Sequence, residues 1–145
     1  ILEARKRGVL FDASNGRNNY DLKVCRQALA QGFAPDIISS DMNTCGLFLQ
    51  PLHSLPRIMS KYLALGMALE DVLDAVTLTP ARLLHREELA SMEVGTTADL
   101  AVLRMVSKDL DYSDMAGHRM KGSQAIVPQM TMKGGKIVYC QADFN

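Results

Sequence analysis

The sequence is poor in residues that announce a disulfide or metal scaffold. It has three cysteines, Cys25, Cys45 and Cys140, widely spaced and with no C-x-x-C pair. An odd, sparse set of this kind argues against a disulfide framework or a zinc knuckle and fits a reducing cytoplasm. The three histidines, His53, His85 and His118, form neither H-x-H nor H-E-x-x-H. Surface or capping roles suit all three, and His53, in a loop before a helix, is the one that could approach a site. Sixteen basic residues balance sixteen acidic ones, so there is no electrostatic ground for a nucleic-acid or anionic-membrane partner. No apolar run approaches the roughly 18 residues of a membrane span. The opening ILEARKRG lacks the apolar stretch of a signal peptide. Repeats and low-complexity tracts are also missing.

What is present is a chain of 145 residues, 48% of them hydrophobic. That is enough for one domain with a real core. It falls short of the roughly 250 residues of a complete (β/α)8 barrel. Residues 1–8 read as the last turns of a helix, with Arg5, Lys6 and Arg7 near the negative end of its dipole and Gly8 as stop. A domain that opens on the tail of a helix is expected to have been cut from something longer.

The organisation changes near residue 95. Before it, strand and helix alternate. Residues 8–12 (GVLFD) form a short apolar run that ends in the loop signal 13–16 (ASNG). A helix is expected from about Asn19 to Gln31, with Gly32 as its stop. Residues 35–41 (PDIISSD) give a second buried strand. Strand, helix, strand with one crossover is the pattern of a parallel sheet. A long loop past Cys45 and Pro51 leads to a helix whose stripe is Leu55, Ile58, Met59, Tyr62 and Leu63, closed by Gly66. A further helix uses Leu69, Val72, Leu73 and Val76, and Thr79-Pro80 is expected to open a short last one. Beyond Gly95 the period switches to strands: 99–106, a short run at 125–127, then 130–133 and 136–140 flanking the hairpin signal Gly134-Gly135.

Two expected strands end in a carboxylate followed by small polar residues, at Asp12 and at Asp41. In parallel α/β folds the carboxyl ends of the strands form the active face. A carboxylate there can ligate a divalent metal or take a proton from water. It can equally cap a neighbouring loop or helix by accepting backbone N–H groups. One or two carboxylates do not close a metal site, which takes three or more protein ligands.

Several stretches, in order, resemble the amidohydrolase superfamily, in particular its dihydroorotase-like deacetylase branch. They are 8–12 with the Asn15-Gly16 turn, 32–41 (GFAPDIISSD), 59–67 (MSKYLALGM), 76–81 (VTLTPA), 95–103 (GTTADLAVL) and 133–138 (KGGKIV). The resemblance implies the C-terminal part of a metal-dependent hydrolase barrel over 1–94 and a segment of a small composite β-sandwich over 95–145. Residues 8–12 would be the seventh strand of the (β/α)8 TIM barrel, 36–41 the eighth, and the helices between Ser54 and Leu84 would close it. The implied activity is hydrolysis of an amide or ester bond in an acylated small molecule, with one or two divalent ions, zinc foremost. Asp41 would match the aspartate that binds metal and shuttles the proton, and Asn15, Gly16 and Asn43 would face the substrate. The chain departs from the family where Ser14-Asn15-Gly16 replaces Gly-His-Gly, and where Asn43 replaces a residue that is often histidine. An amide at either place hydrogen-bonds but does not act as acid or base near neutral pH.

Two other readings follow from the same residues. The chain could be a non-catalytic fragment or interaction module that pairs with a complementing chain, or with copies of itself, because two barrel strands leave open sheet edges. It could also be a small α/β binding domain unrelated to hydrolases.

Overall fold

The computed structural model describes residues 1–44 and 54–143. Cys45 and His53 therefore lie outside the described residues. The chain opens on a short helix, α1 (Leu2–Lys6), which ends where Gly8 takes a positive φ of 87°. Arg5 pins it to the rest of the fold. Its guanidinium bonds the Ala34 carbonyl at 2.7 Å and the Asp36 carboxylate at 2.9 Å, and lies 3.9 Å over the Phe33 ring.

Strand β1 (Asp12–Ser14) and strand β2 (Ile37–Ser39) pair in parallel, with Asp12 opposite Ile37 and Ser14 opposite Ser39. The crossover between them is helix α2 (Leu22–Ala30). The expected strand 8–12 thus shifts forward, with Asp12 its first paired residue. The ladder cannot run further back, because Pro35 precedes the first donors of the partner strand and has no N–H. The Asp36 and Ile37 amides both donate to the Phe11 carbonyl, and there the pairing begins. Helix α2 starts three residues later than the sequence suggests. Asp21 has extended backbone, and its carboxylate accepts from the Val24 amide at 2.9 Å, a side-chain N-cap that excludes Asn19 and Tyr20 from the helix.

Helix α3 (Leu55–Ala64) and helix α4 (Leu69–Val76) bury their apolar stripes against β2 and the later strands. The core holds Ile38, Ile58, Met59, Tyr62, Val72, Ala75 and Ile126, with Tyr62 and Val72 fully buried. Helix α5 (Leu78–Leu83) begins one to two residues earlier than Thr79-Pro80 implied. Pro80 still falls within the first turn, where its missing N–H costs no helical bond.

A three-stranded antiparallel sheet completes the fold in the order β3 (Leu100–Ser113), β4 (Arg119–Lys133) and β5 (Lys136–Cys140). The separate short strands expected at 125–127 and 130–133 are one continuous β4. Pro128 interrupts the register, not the strand: a bulge shifts the pairing from Val102↔Met130 to Leu103↔Pro128. The β4–β5 turn has both Gly134 and Gly135 at positive φ, as a two-residue hairpin requires. Asp99 grips that turn, accepting from the Gly134 amide at 2.7 Å and from the Lys133 ammonium. Helix α3 docks on β4 through Ser60, whose hydroxyl accepts from the Ile126 amide at 2.8 Å, and Arg57 bonds the Asp111 carbonyl of β3 at 2.6 Å. Among the described residues, no helix is long and apolar enough to cross a membrane.

Candidate active site

Because β1 and β2 run parallel, their carboxyl ends open onto one rim. The loop 15–21 leaves β1 there, and Asp41 stands two residues past the end of β2. Asp41 has a φ of +48°, in the left-handed region that aspartate tolerates better than most residues. Among the described residues its carboxylate caps no helix. Oδ2 accepts from the Asn19 side-chain amide at 3.0 Å, and the same amide donates to the Ser14 hydroxyl at 3.1 Å. Gly16 lies directly beneath. A Cβ on Gly16 would stand 2.1 Å from Asp41 Oδ2 and 2.4 Å from Asn19 Oδ1, so any larger residue would displace the ends of both side chains.

The other residues singled out from the sequence divide by their surroundings. Asn15 is buried, its amide donating to the carbonyls of Ala13 at 2.6 Å and Ser39 at 3.1 Å, so it staples β1 to β2. Asn43 is exposed in the segment that follows Asp41. Asp12 accepts from the Ser39 hydroxyl at 2.7 Å, a side-chain bond across the two paired strands. Asp41 and Gly16 come together, whereas Asn15 is turned into the sheet.

Two features of the rim lay beyond sequence reasoning. One is Asn19, hidden in an expected helix. The other is a cluster of Asp21, Asp114 and His118, where the turn between β3 and β4 meets the start of α2. Their ligand-type atoms lie within 4.8 Å of one another. Asp114 is already heavily engaged, however. Its Oδ2 accepts from the Leu22 amide at 2.8 Å and lies 2.9 Å from His118 Nδ1, and its Oδ1 accepts from the His118 amide at 2.9 Å. Burial of the Asp114 carboxylate works to raise its pKa. The Leu22 amide and the His118 contacts outweigh that, and the net direction is down. The cluster is a hydrogen-bonded latch between the sheet and the helix.

Behind the loop, the half-buried Tyr20 and Cys25 meet the buried Lys61 and Tyr62. The Lys61 ammonium lies 3.4 Å over the Tyr20 ring, and the Cys25 thiol is 3.7 Å from the Tyr62 hydroxyl. Burial lowers the Lys61 pKa from 10.5 to about 8 and pushes the Tyr20 and Tyr62 phenols well above their ordinary value. None of these groups is charge-paired at the rim, and they read as core.

Comparison with known proteins places this geometry. The model of the amidohydrolase family matches residues 2–138. The chain belongs to that family. Among curated proteins it is 29% identical over 131 residues to a deacetylase of Agrobacterium fabrum, covering 90% of this chain and 32% of that protein. It is 27% identical over 135 residues to a deacetylase of Enterococcus faecalis, covering 93% and 37%. Among solved structures it superposes on an adenine deaminase with a TM-score of 0.90 at 26% identity, and on a dihydroorotase with 0.86 at 28%. Each superposition covers 97% of this chain and 38% of the other. The chain thus spans about a third of the length of the relatives it matches.

Proposed function

We propose that residues 1–145 are the C-terminal portion of a metal-dependent amidohydrolase that cleaves an amide or ester bond of an acylated small molecule. In this reading β1 and β2 are the last two strands of a (β/α)8 barrel, α3 to α5 close it, and β3 to β5 belong to a small β-sandwich. The observation that carries it is Asp41, at the carboxyl end of the second of two parallel strands and held in one orientation by a neighbouring loop. Membership of a hydrolase family, and the deacetylase names of its relatives, support the reaction class.

The family is generally metal-dependent, and zinc, as one or two ions, is the group we expect. The described residues test that fit only in part. Asp41 offers a carboxylate oxygen of suitable chemistry, but among the described residues no closed site of three ligands surrounds it. Asp41 would be this chain's ligand to such an ion, which would supply polarisation of the carbonyl and a lowered pKa of water. Asp41 takes a proton from the attacking water and delivers it to the departing nitrogen or oxygen. Gly16 leaves room for that carboxylate, Asn15 holds the strand ends beneath it, and Asn43, exposed just past Asp41, would hydrogen-bond the substrate. A cytoplasmic setting suits the free thiols Cys25 and Cys140.

A second reading keeps the fold and drops the catalysis: a fragment completed by another chain. It draws on a groove of about 350 Å³ along β1 and α2, lined by Phe11, Ala13, Val24, Leu29 and Phe33 among others. The complete gene product separates the two. Assayed on a panel of acetylated small molecules with added zinc, it should turn over. Asp41→Asn should then lower the rate by at least about a hundredfold with folding intact, the lower scale for losing a general base. Near-normal turnover would remove Asp41 from the mechanism.

A further inference from the structure

We infer that Asn19 is a positioning residue that, with Gly16, holds the Asp41 carboxylate in one orientation; this rests on the reading of Asp41 given above. Three observations converge on it. The Asn19 amide nitrogen donates to Asp41 Oδ2 at 3.0 Å and to Ser14 Oγ at 3.1 Å, and the two bonds together favour one orientation of the amide plane. The space beneath Asp41 is so tight that a single methyl group on Gly16 would overlap Oδ2 and Asn19 Oδ1. The left-handed backbone at Asp41 turns the chain at this point.

The chemistry follows from the donor. An N–H pointing at Oδ2 stabilises that oxygen as an acceptor, and proton transfer falls to Oδ1. Asn19 is itself carried on a loop fastened at both ends. Asn15 ties the near end to Ser39, and the Asp21 cap with the Asp114–His118 latch ties the far end. The latch gives the loop a firm base, so that the orientation of Asp41 does not depend on substrate.

The test uses the complete gene product, with p-nitrophenyl acetate as the acyl probe. Asn19→Ala should lower kcat by roughly ten- to a hundredfold, the scale of misplacing a reacting group by about 1 Å. KM should stay within about twofold, the split expected when transition-state rather than ground-state contact is lost. Asn19→Asp fills the same volume but replaces a donor by a like charge, so its kcat should fall at least as far. Gly16→Ala should reproduce the loss of kcat although Asn19 is untouched. Melting temperatures of the two Asn19 variants should match the parent to within about 2 °C. A merely structural Asn19 would give the opposite order, the isosteric Asn19→Asp outperforming Asn19→Ala, and that result overturns the inference. So does Asn19→Ala with undiminished kcat where Asp41→Asn is dead; the catalytic reading of Asp41 then survives alone. If Asp41→Asn is fully active, or the probe is not hydrolysed, the crystal structure of Asn19→Ala decides. A turned Asp41 side chain upholds the clamp, and an unmoved one ends it.

Discussion

The two halves of the molecule use apolar residues in opposite ways. In the half built on β1, β2 and α3 to α4, the apolar stripe of each helix finds cover, and Tyr62 and Val72 are wholly buried. In the sheet β3 to β5, cover reaches mainly the stretch of β4 around Ala125 and Ile126 that lies under α3. Strand β5 is exposed along its length, and Ile137 and Val138 remain 58% and 63% accessible. The lesson is that burial, and with it stabilisation, is set by which faces meet and not by how apolar a segment is. Backbone pairing with β4 and the grip of Asp99 on the hairpin turn hold β5 in place.

The sharpest way to break this comparison is to remove one aromatic ring from each half. Tyr62→Ala should cost about 3–5 kcal/mol, the scale of large-to-small changes in a packed core. Tyr139→Ala on β5 should change stability by no more than about 0.5 kcal/mol. Urea unfolding of both variants reads the difference, and equal losses would mean that β5 is covered in solution by something else.

The join between the halves should respond next. Asp114→Ala strips the acceptor from the Leu22 and His118 amides and should cost about 1–3 kcal/mol, the penalty for stranding buried donors. The sign of the pH effect follows from the direction of its shift. A carboxylate whose folded pKa lies below its unfolded value stabilises the fold above that unfolded value, near 3.9. The contribution is then lost as pH falls through the folded pKa. Acid titration of the parent and of Asp114→Asn should therefore diverge above about pH 4 and converge well below it. Parallel curves would exclude the latch as a source of acid sensitivity.

The smallest effect belongs to Lys61. Its folded pKa of about 8 lies below the ordinary 10.5, so between these values the unfolded chain binds more protons. Stability should then rise with pH over that window. Tyr20 and Tyr62 act the other way. Their raised pKa values make stability fall once the unfolded phenols ionise, above about pH 10. A shallow maximum near that pH in the urea midpoint, flattened on its acid side by Lys61→Met, checks both signs. A flat profile in the parent would show that Lys61 reaches water.

Much of this architecture was legible because its signals are local. Gly32 and Gly66 stop helices where they stand, the 55–63 stripe forms one helix face, and Gly134-Gly135 makes the hairpin. Signals that compete locally were misread. Asp21 looks like one more polar residue until its extended backbone makes it the cap of α2. Residues 128–129 look like a gap between two short strands until the bulge against β3 joins both into β4. At the site, the strand-end position pointed to Asp41, but its partner Asn19 lies 22 positions away in sequence. No periodicity reports such a contact.

The sequence alone determined the order of elements, the parallel crossover and the aspartate at the strand end, because each depends on backbone preferences within a few residues. Tertiary structure decided which apolar faces are covered, that the β3–β4 turn locks onto the start of α2, and that Asn19 and Gly16 enclose Asp41. Those outcomes depend on distances between residues remote along the chain, and such distances exist only once the elements have packed.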